Sequence, residues 1–185
     1  MSVTTIPTAG IADSAISTAK IADDAVTTAK TTAGITMVDQ WRITANTSST
    51  GAFYITSNWE RSDTAGFAQL GTGMTESSGV FSFPSTGIYL VRGFATYNTT
   101  GADAVEYDIF TTTDNSSYTK AAVTRADSSE DSLGMTLSAE HIFDVTNTST
   151  HKVKFYAESV SSGSYFFGDT DATRTGATFV RLGDT

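Results

Sequence analysis

The groups in this chain that could move a proton or hold a metal are two histidines, His141 and His151, and twenty acidic residues; cysteine is absent. The missing thiols remove disulfides, thiolate nucleophiles and sulfur-ligated metal sites together. Neither histidine has a metal-ligand spacing or a nucleophile motif beside it, so the chain reads as a non-enzyme with no catalytic residues. His141 shares an alternating face with Leu137, Ala139, Phe143 and Val145, which predicts a packed side chain. His151 opens a strand after a turn and is expected in solvent.

The carboxylates gather twice, as Asp103, Glu106 and Asp108 and as Asp127, Glu130 and Asp131. Oxygen-rich loops of this kind are what calcium takes, yet neither cluster has the spacing of a calcium loop. Glu106 and Asp108, two apart on one strand, share a face that fits solvent, so a solvated acidic surface without a cofactor is the expectation. Aromatic side chains such as Trp41, Trp59, Tyr97, Tyr118, Tyr165, Phe166 and Phe167 could stack on sugar rings, although the core of a sandwich uses up most of its aromatics. Tyr165, Phe166 and Phe167 stand apart, because consecutive aromatics on a strand point to both faces. One face is expected in the core, the other against a neighbouring subunit or a ligand.

Charge and hydropathy narrow the partners. A net charge of −9 with no basic patch argues against nucleic acid, which is bound by clustered Lys and Arg. No apolar run approaches a membrane span, and the start MSVTTIPTAG has neither the basic residues nor the apolar stretch of a signal peptide. Synthesis in a cytoplasm, without membrane insertion, is therefore expected.

β-structure has to position these groups. Ser and Thr fill close to a third of the 185 residues, with 15 glycines and only two prolines, a mix suited to strands joined by many turns. From Met37 onward hydrophobicity alternates with period two. In 152–160 (KVKFYAESV), Val153, Phe155 and Ala157 lie on one face and Lys152, Lys154, Tyr156 and Glu158 on the other. Similar runs at 40–43, 52–59, 80–83, 87–97, 104–112, 133–145, 164–167 and 177–182 alternate with turn clusters at 48–51, 98–101, 114–117, 127–132 and 146–150. About nine or ten antiparallel strands of this kind predict an all-β sandwich, with a jelly roll as the leading form.

The first residues differ. IADSAISTAK (11–20) is followed at once by IADDAVTTAK (21–30), and the composition changes near Gly34. This places a repeat segment at 1–36 and a globular head at 37–185. A short tandem repeat cannot bury a core alone, and two copies are too few for a solenoid, so pairing across chains is expected. Ile6, Ile11, Ile16, Ile21 and Val26 recur every five residues and are the candidates for oligomer or virion attachment. A second pattern, Ile11, Ala15, Ala19, Ala22, Val26, Ala29 and Ala33, has helical spacing; a helical stripe, an irregular fibre and a disordered tail all stay open.

Residues 81–97 (FSFPSTGIYLVRGFATY) resemble the signature of C1q- and tumour-necrosis-factor-like (TNF-like) jelly rolls, in which a Phe lies six residues before a Gly-x-Tyr strand start, here Phe81, Gly87 and Tyr89. The match is partial: the aromatic positions that usually follow Tyr89 are Val91 and Gly93, with Phe94 one step late. The ending ATFVRLG (177–183) is similar to the last strand of such domains in phage proteins, which implies a place for Phe179 beside a trimer axis. The repeats resemble the Ile-Ala-Asp-x-Ala-Val-Thr-Thr-Ala-Lys units of tailed-bacteriophage fibre proteins.

Together these resemblances imply a homotrimeric virion structural protein made in the host cytoplasm: a fibre or capsid decoration (head fibre) protein with a short stalk and a C1q/TNF-like knob. Its partners would be itself and the major capsid protein or a tail or baseplate protein. Some C1q-like domains bind calcium. A tail-fibre adhesin that binds host surface glycans is the first alternative and a bacterial surface or matrix binding module the second. Polysaccharide-cleaving spikes usually need a long β-helix, for which this chain has no room.

Overall fold

Alternation of inward and outward side chains drives 87–98 and 152–160 into long strands, and the two halves of the sandwich are laid around them. The computed structural model describes residues 34–101, 103–129 and 134–185; Ile6, Ile11, Ile16, Ile21, Val26, Glu130 and Asp131 lie outside the described residues. Every regular element among the described residues is a strand: β1 (Met37–Ile43), β2 (Gly51–Tyr54), β3 (Trp59–Arg61), β4 (Thr75–Ser77), β5 (Val80–Ser82), β6 (Gly87–Asn98), β7 (Asp103–Thr112), β8 (Thr119–Ala122), β9 (Arg125–Ser128), β10 (Gly134–Val145), β11 (Lys152–Val160), β12 (Tyr165–Phe166) and β13 (Gly176–Gly183).

They form two antiparallel sheets. The six-stranded sheet runs β10-β6-β13-β1-β3, with β12 also on β6; the seven-stranded sheet runs β4-β5-β11-β7-β8, with β2 on β11 and β9 on β7. The all-β antiparallel sandwich expected from the alternation is the observed architecture. Three short strands, β4, β8 and β9, escape the sequence pattern, because three or four half-exposed residues give no alternation to read. The run expected at 52–59 is two strands: Asn58 adopts a left-handed backbone (φ 64°) and breaks it before Trp59.

The inward face of β6 presents Tyr89, Val91, Gly93, Ala95 and Tyr97. Phe81 joins the layers, with ring centroids 5.5 Å from Trp41, 5.0 Å from Trp59, 5.5 Å from Phe155 and 5.2 Å from Phe179. Gly93 is required by close approach: a Cβ there would lie 2.9 Å from the Tyr107 ring and 3.0 Å from that of Phe155. Those two rings stack at 5.8 Å against the β6 backbone. The Tyr107 hydroxyl donates to the Gly176 carbonyl at 3.3 Å, and burial drives its pKa far up.

Asp39 is the buried polar hub of the six-stranded sheet. It accepts from Trp41 Nε1 (2.9 Å), the Met74 N–H (2.8 Å) and Arg61 Nε (3.0 Å), while the Arg61 guanidinium also lies 4.7 Å over the Trp41 ring. The fully buried carboxylate is thereby paired and hydrogen-bonded, as burial of a charge demands.

Candidate functional site

The outward face of the seven-stranded sheet collects rings and charges. Lys152, Lys154, Tyr156 and Glu158 alternate along β11 with the buried Val153, Phe155 and Ala157, the division expected from sequence. The β7 register sets Lys154 opposite Phe110, Tyr156 opposite Asp108 and Glu158 opposite Glu106, and β2 sets Tyr54 opposite Tyr156. Tyr118 arrives from the turn after β7, which Asp114 builds. Its Oδ1 accepts from the N–H groups of Ser116 and Ser117, each at 2.8 Å, and from the Thr112 hydroxyl at 2.7 Å. These bonds, that from Ser117 foremost, hold the Asp114 carboxyl well below the usual carboxylate range.

Tyr54 is the centre of the ring cluster, with centroid distances of 4.8 Å to Tyr156, 5.4 Å to Phe110 and 6.4 Å to Tyr118, all edge-on. The Lys154 ammonium sits 4.0 Å from the Tyr118 centroid and 5.0 Å from that of Tyr54, within cation–π range of both. Burial raises the phenol pKa of Tyr54 and of Tyr118.

Beside the rings, Lys120 is caged by acids. A register shift in β8 between the partners of Ile109 and Phe110 brings it onto this face. Its Nζ lies 3.1 Å from Glu106, 2.7 Å from Asp108 and 2.7 Å from Glu158. Asp108 is fully buried, and neither of its oxygens has a hydrogen bond of good geometry, so the short ion pair is its main compensation. Burial pushes the Asp108 carboxyl up, and Lys120 offsets only part of that. Burial also works against the charge of Lys120, but its three carboxylate partners win and keep it protonated well above the usual lysine range.

This arrangement corrects the expectation that Glu106 and Asp108 are simply solvated: β8 covers them, and Asp108 is sealed from water. Of the calcium candidates, Asp127 stands apart in an ion pair with Arg125 at 2.9 Å. Glu106, Asp108 and Glu158 do bring carboxylate oxygens within 4.8 Å of one another, an arrangement able to hold a cation, and the chain's own ammonium supplies that cation. A calcium ion there would first have to displace Lys120.

The outward face of the six-stranded sheet is different in kind. Cross-strand register lines up Ile142, Leu90, Val180, Val38 and Leu70 in one apolar row across four strands and an adjoining bridge. Ile142 is 54% exposed and Leu70 47%. The neighbouring row is polar: Arg92 pairs with Glu140 at 3.5 Å, and Gln40 donates to the Thr178 hydroxyl at 3.2 Å.

The residues named from sequence divide accordingly. Phe166 and Phe179 point inward and are fully buried, so they belong to the core and present no interface surface; Trp41 and Tyr97 are core residues as well. Tyr165 and Phe167 face outward from the same run, their rings 4.9 Å apart, with the Arg174 guanidinium 5.2 Å over Phe167. His141 packs beside Phe143 at 5.9 Å, and burial lowers its pKa. His151 is buried and not solvated: it stacks on Phe143 at 5.5 Å and meets the hydroxyls of Thr146 (3.3 Å) and Thr150 (3.1 Å). Sequence reasoning missed Tyr54, Phe110 and Lys120, whose meeting depends on cross-strand register; the outward Lys154 and Tyr156 on β11 were the available signal.

An open cleft of about 520 Å³ beside Arg42 completes the picture. Glu60, Asp63 and Asp171 make its lining acidic, and Arg42 is already paired with Glu60 at 3.0 Å and with Asp63.

No protein-family model and no curated protein sequence matches the chain. Solved structures do match in fold. Murine APRIL at pH 5.0 superposes with a TM-score of 0.60 at 12% identity, covering 79% of this chain and 98% of that one. The Eiger TNF of S. frugiperda gives 0.57 at 11% identity, covering 82% and 95%. At such identities the likeness is one of fold alone: the described head is a jelly-roll sandwich of the C1q/TNF-like kind.

Proposed function

We propose that this chain is a virion structural protein of a tailed bacteriophage, a homotrimeric fibre or capsid decoration protein whose head works by binding and not by catalysis. The observation that carries self-association is the apolar row Ile142–Leu90–Val180–Val38–Leu70, laid across one sheet face and flanked on one side by the polar pairs of Arg92 with Glu140 and Gln40 with Thr178. A contiguous exposed apolar strip marks a contact surface, and burying it against copies of itself removes it from water. The repeats at 11–30 and their resemblance to phage fibre units support the virion assignment and an attachment role for Ile6, Ile11, Ile16, Ile21 and Val26. The two histidines, packed against Phe143 and threonines, supply no catalytic pair, which supports a binding role.

Native mass spectrometry of the full chain tests the first half. A trimer is expected, and Leu90→Lys combined with Val180→Lys is expected to give monomers with an unchanged β circular-dichroism spectrum. A monomeric wild type, or a variant that stays trimeric, overturns the proposed face. Immunogold labelling of purified particles with an antibody to residues 37–185 tests the second half. Label on the head supports decoration and label on the tail supports the adhesin alternative, while unlabelled particles remove the virion reading.

A further inference from the structure

We infer that Tyr54, Tyr118, Tyr156 and Lys154, on the outward face of the seven-stranded sheet, form a binding site for an acidic saccharide. The inference rests on the reading of the head as a binding module, but every residue in it comes from one protomer. It therefore stands or falls separately from self-association.

The core has its own aromatic set around Phe81, so these rings are not needed to fill the sandwich, and they stay half-buried on its outside. They are held by mutual edge-on packing at 4.8–6.4 Å and, for Tyr118, by the Asp114 turn. Rings fixed before a ligand arrives lose little freedom on binding, and a tyrosine offers both an apolar face and a hydroxyl.

In a chain with 11 basic and 20 acidic residues, cations are the scarce species. Each described arginine has a carboxylate partner: Arg42, Arg61, Arg92, Arg125, Arg174 and Arg181. Lys120 has three. Among the described basic residues only Lys152 and Lys154 have none, and they are neighbours on one face of β11; Lys152 donates to the Thr148 carbonyl at 2.7 Å, whereas Lys154 meets rings alone. An ammonium left without an anion between two tyrosines is a place for an external carboxylate, and a charge-assisted contact there is directional and strong.

Glu106 and Glu158, both partly in solvent, sit at the opposite end of the face and can accept hydrogen bonds from hydroxyls. Ring faces, one free cation and carboxylate acceptors together match a pyranose with apolar C–H faces, hydroxyls and a carboxylate. A phosphate backbone, in contrast, would meet the acids around Lys120.

The test uses the purified full chain, titrated with hexagalacturonate and with sialyllactose, and with maltohexaose and hexaglutamate for comparison. Tyrosine fluorescence and amide chemical shifts report binding, while native mass spectrometry of the same samples reports assembly. Saturable binding of at least one acidic sugar is expected, with shifts centred on Tyr54, Tyr118, Lys154 and Tyr156. Lys154→Gln should weaken it about tenfold, the loss of one charge-assisted contact. Tyr118→Ala should remove it and Tyr118→Phe should keep most of it, with all three variants melting near the wild type. Equal binding of hexaglutamate or of maltohexaose, shifts centred elsewhere, or no binding of either acidic sugar at millimolar concentration overturns the inference whatever the assembly state.

Discussion

Replacing Lys120 with methionine removes the cation from a cage of three carboxylates while keeping the unbranched stem out to Cε. In the folded protein Asp108 is sealed from water, and Lys120 Nζ, 2.7 Å away, is its main compensation. Removing one partner of a buried pair costs about 3–5 kcal/mol because the other charge is left alone. Here Lys120 is 31% exposed and Glu158 40%, so water screens part of the loss and about 2–3 kcal/mol at pH 7 is the better figure. For a head of this size that corresponds to a fall of roughly 5–10 °C in melting temperature.

The pH dependence sharpens the test. In the wild type the pKa of Lys120 is raised on folding, so its contribution is complete below the ordinary lysine value of 10.5 and is lost as the pH rises through the raised folded value. In Lys120→Met the Asp108 carboxyl, raised by burial, loses the partner that offsets part of that rise and binds its proton more tightly folded than unfolded, so the variant regains stability as the pH falls toward the ordinary carboxylate value. Thermal melts at pH 4, 7 and 10 read this directly: the deficit should be about equal at pH 7 and pH 10 and shrink in acid. A variant melting within about 1 °C of the wild type at pH 7, or a deficit that does not shrink in acid, would refute the view that Lys120 compensates a buried charge.

Two further outcomes follow from geometry. Gly93→Val puts a branched side chain where a Cβ alone would lie 2.9–3.0 Å from the rings of Tyr107 and Phe155, and should cost about 1–3 kcal/mol in chemical denaturation; an unchanged midpoint would mean that the rings have room to retreat. The pKa of Asp114 is lowered on folding by the Ser117 and Ser116 amides, so its contribution is present above the ordinary carboxylate value and lost as the pH falls through the depressed folded one. Amide shifts of Ser116 and Ser117 should therefore titrate well below the usual carboxylate range, and a midpoint near 4 would show that the turn does not hold the ionised form.

How much of this was legible depended on distance along the chain. Within one strand, period two placed Val153, Phe155 and Ala157 inward and Lys154 and Tyr156 outward, and it put Leu137 and Phe143 in the core beside His141. His151 broke the rule of thumb, because a residue at a strand entrance can still be covered by the neighbouring layer, here by Phe143. Resemblance puts Phe179 beside a trimer axis, and strand phase overrides that, because it alternates with the outward Thr178 and Val180; in the Tyr165–Phe167 run, alternation itself divides the rings, and Phe166 takes the core face. The Lys120 cage lay beyond sequence reasoning, since Glu106, Asp108 and Glu158 meet it only through β7–β11 pairing and a register shift in β8. The resemblance carried on Phe81, Gly87 and Tyr89 pointed to the right fold despite Gly93, and the structure gives the reason: the glycine makes room for Tyr107 and Phe155, aromatic rings supplied by the opposite sheet.

The two outward faces therefore differ in a way that bears on the proposed assembly. The six-stranded sheet shows an apolar row to solvent, which is favourable only if something covers it. The seven-stranded sheet shows rings already packed on one another and acids already paired with Lys120, a face stable in water without a cover. Self-association through the first leaves the second free on every copy. A single ring cluster with one lysine offers a small contact area, so its affinity for one saccharide is expected to be weak. Repetition around a symmetry axis is the remedy available to such a site, because a polymer bound at one copy meets the next at high effective concentration. In the proposed assembly the apolar row and the ring cluster complement one another: the first face would bring the copies together, and the second would gain from being repeated.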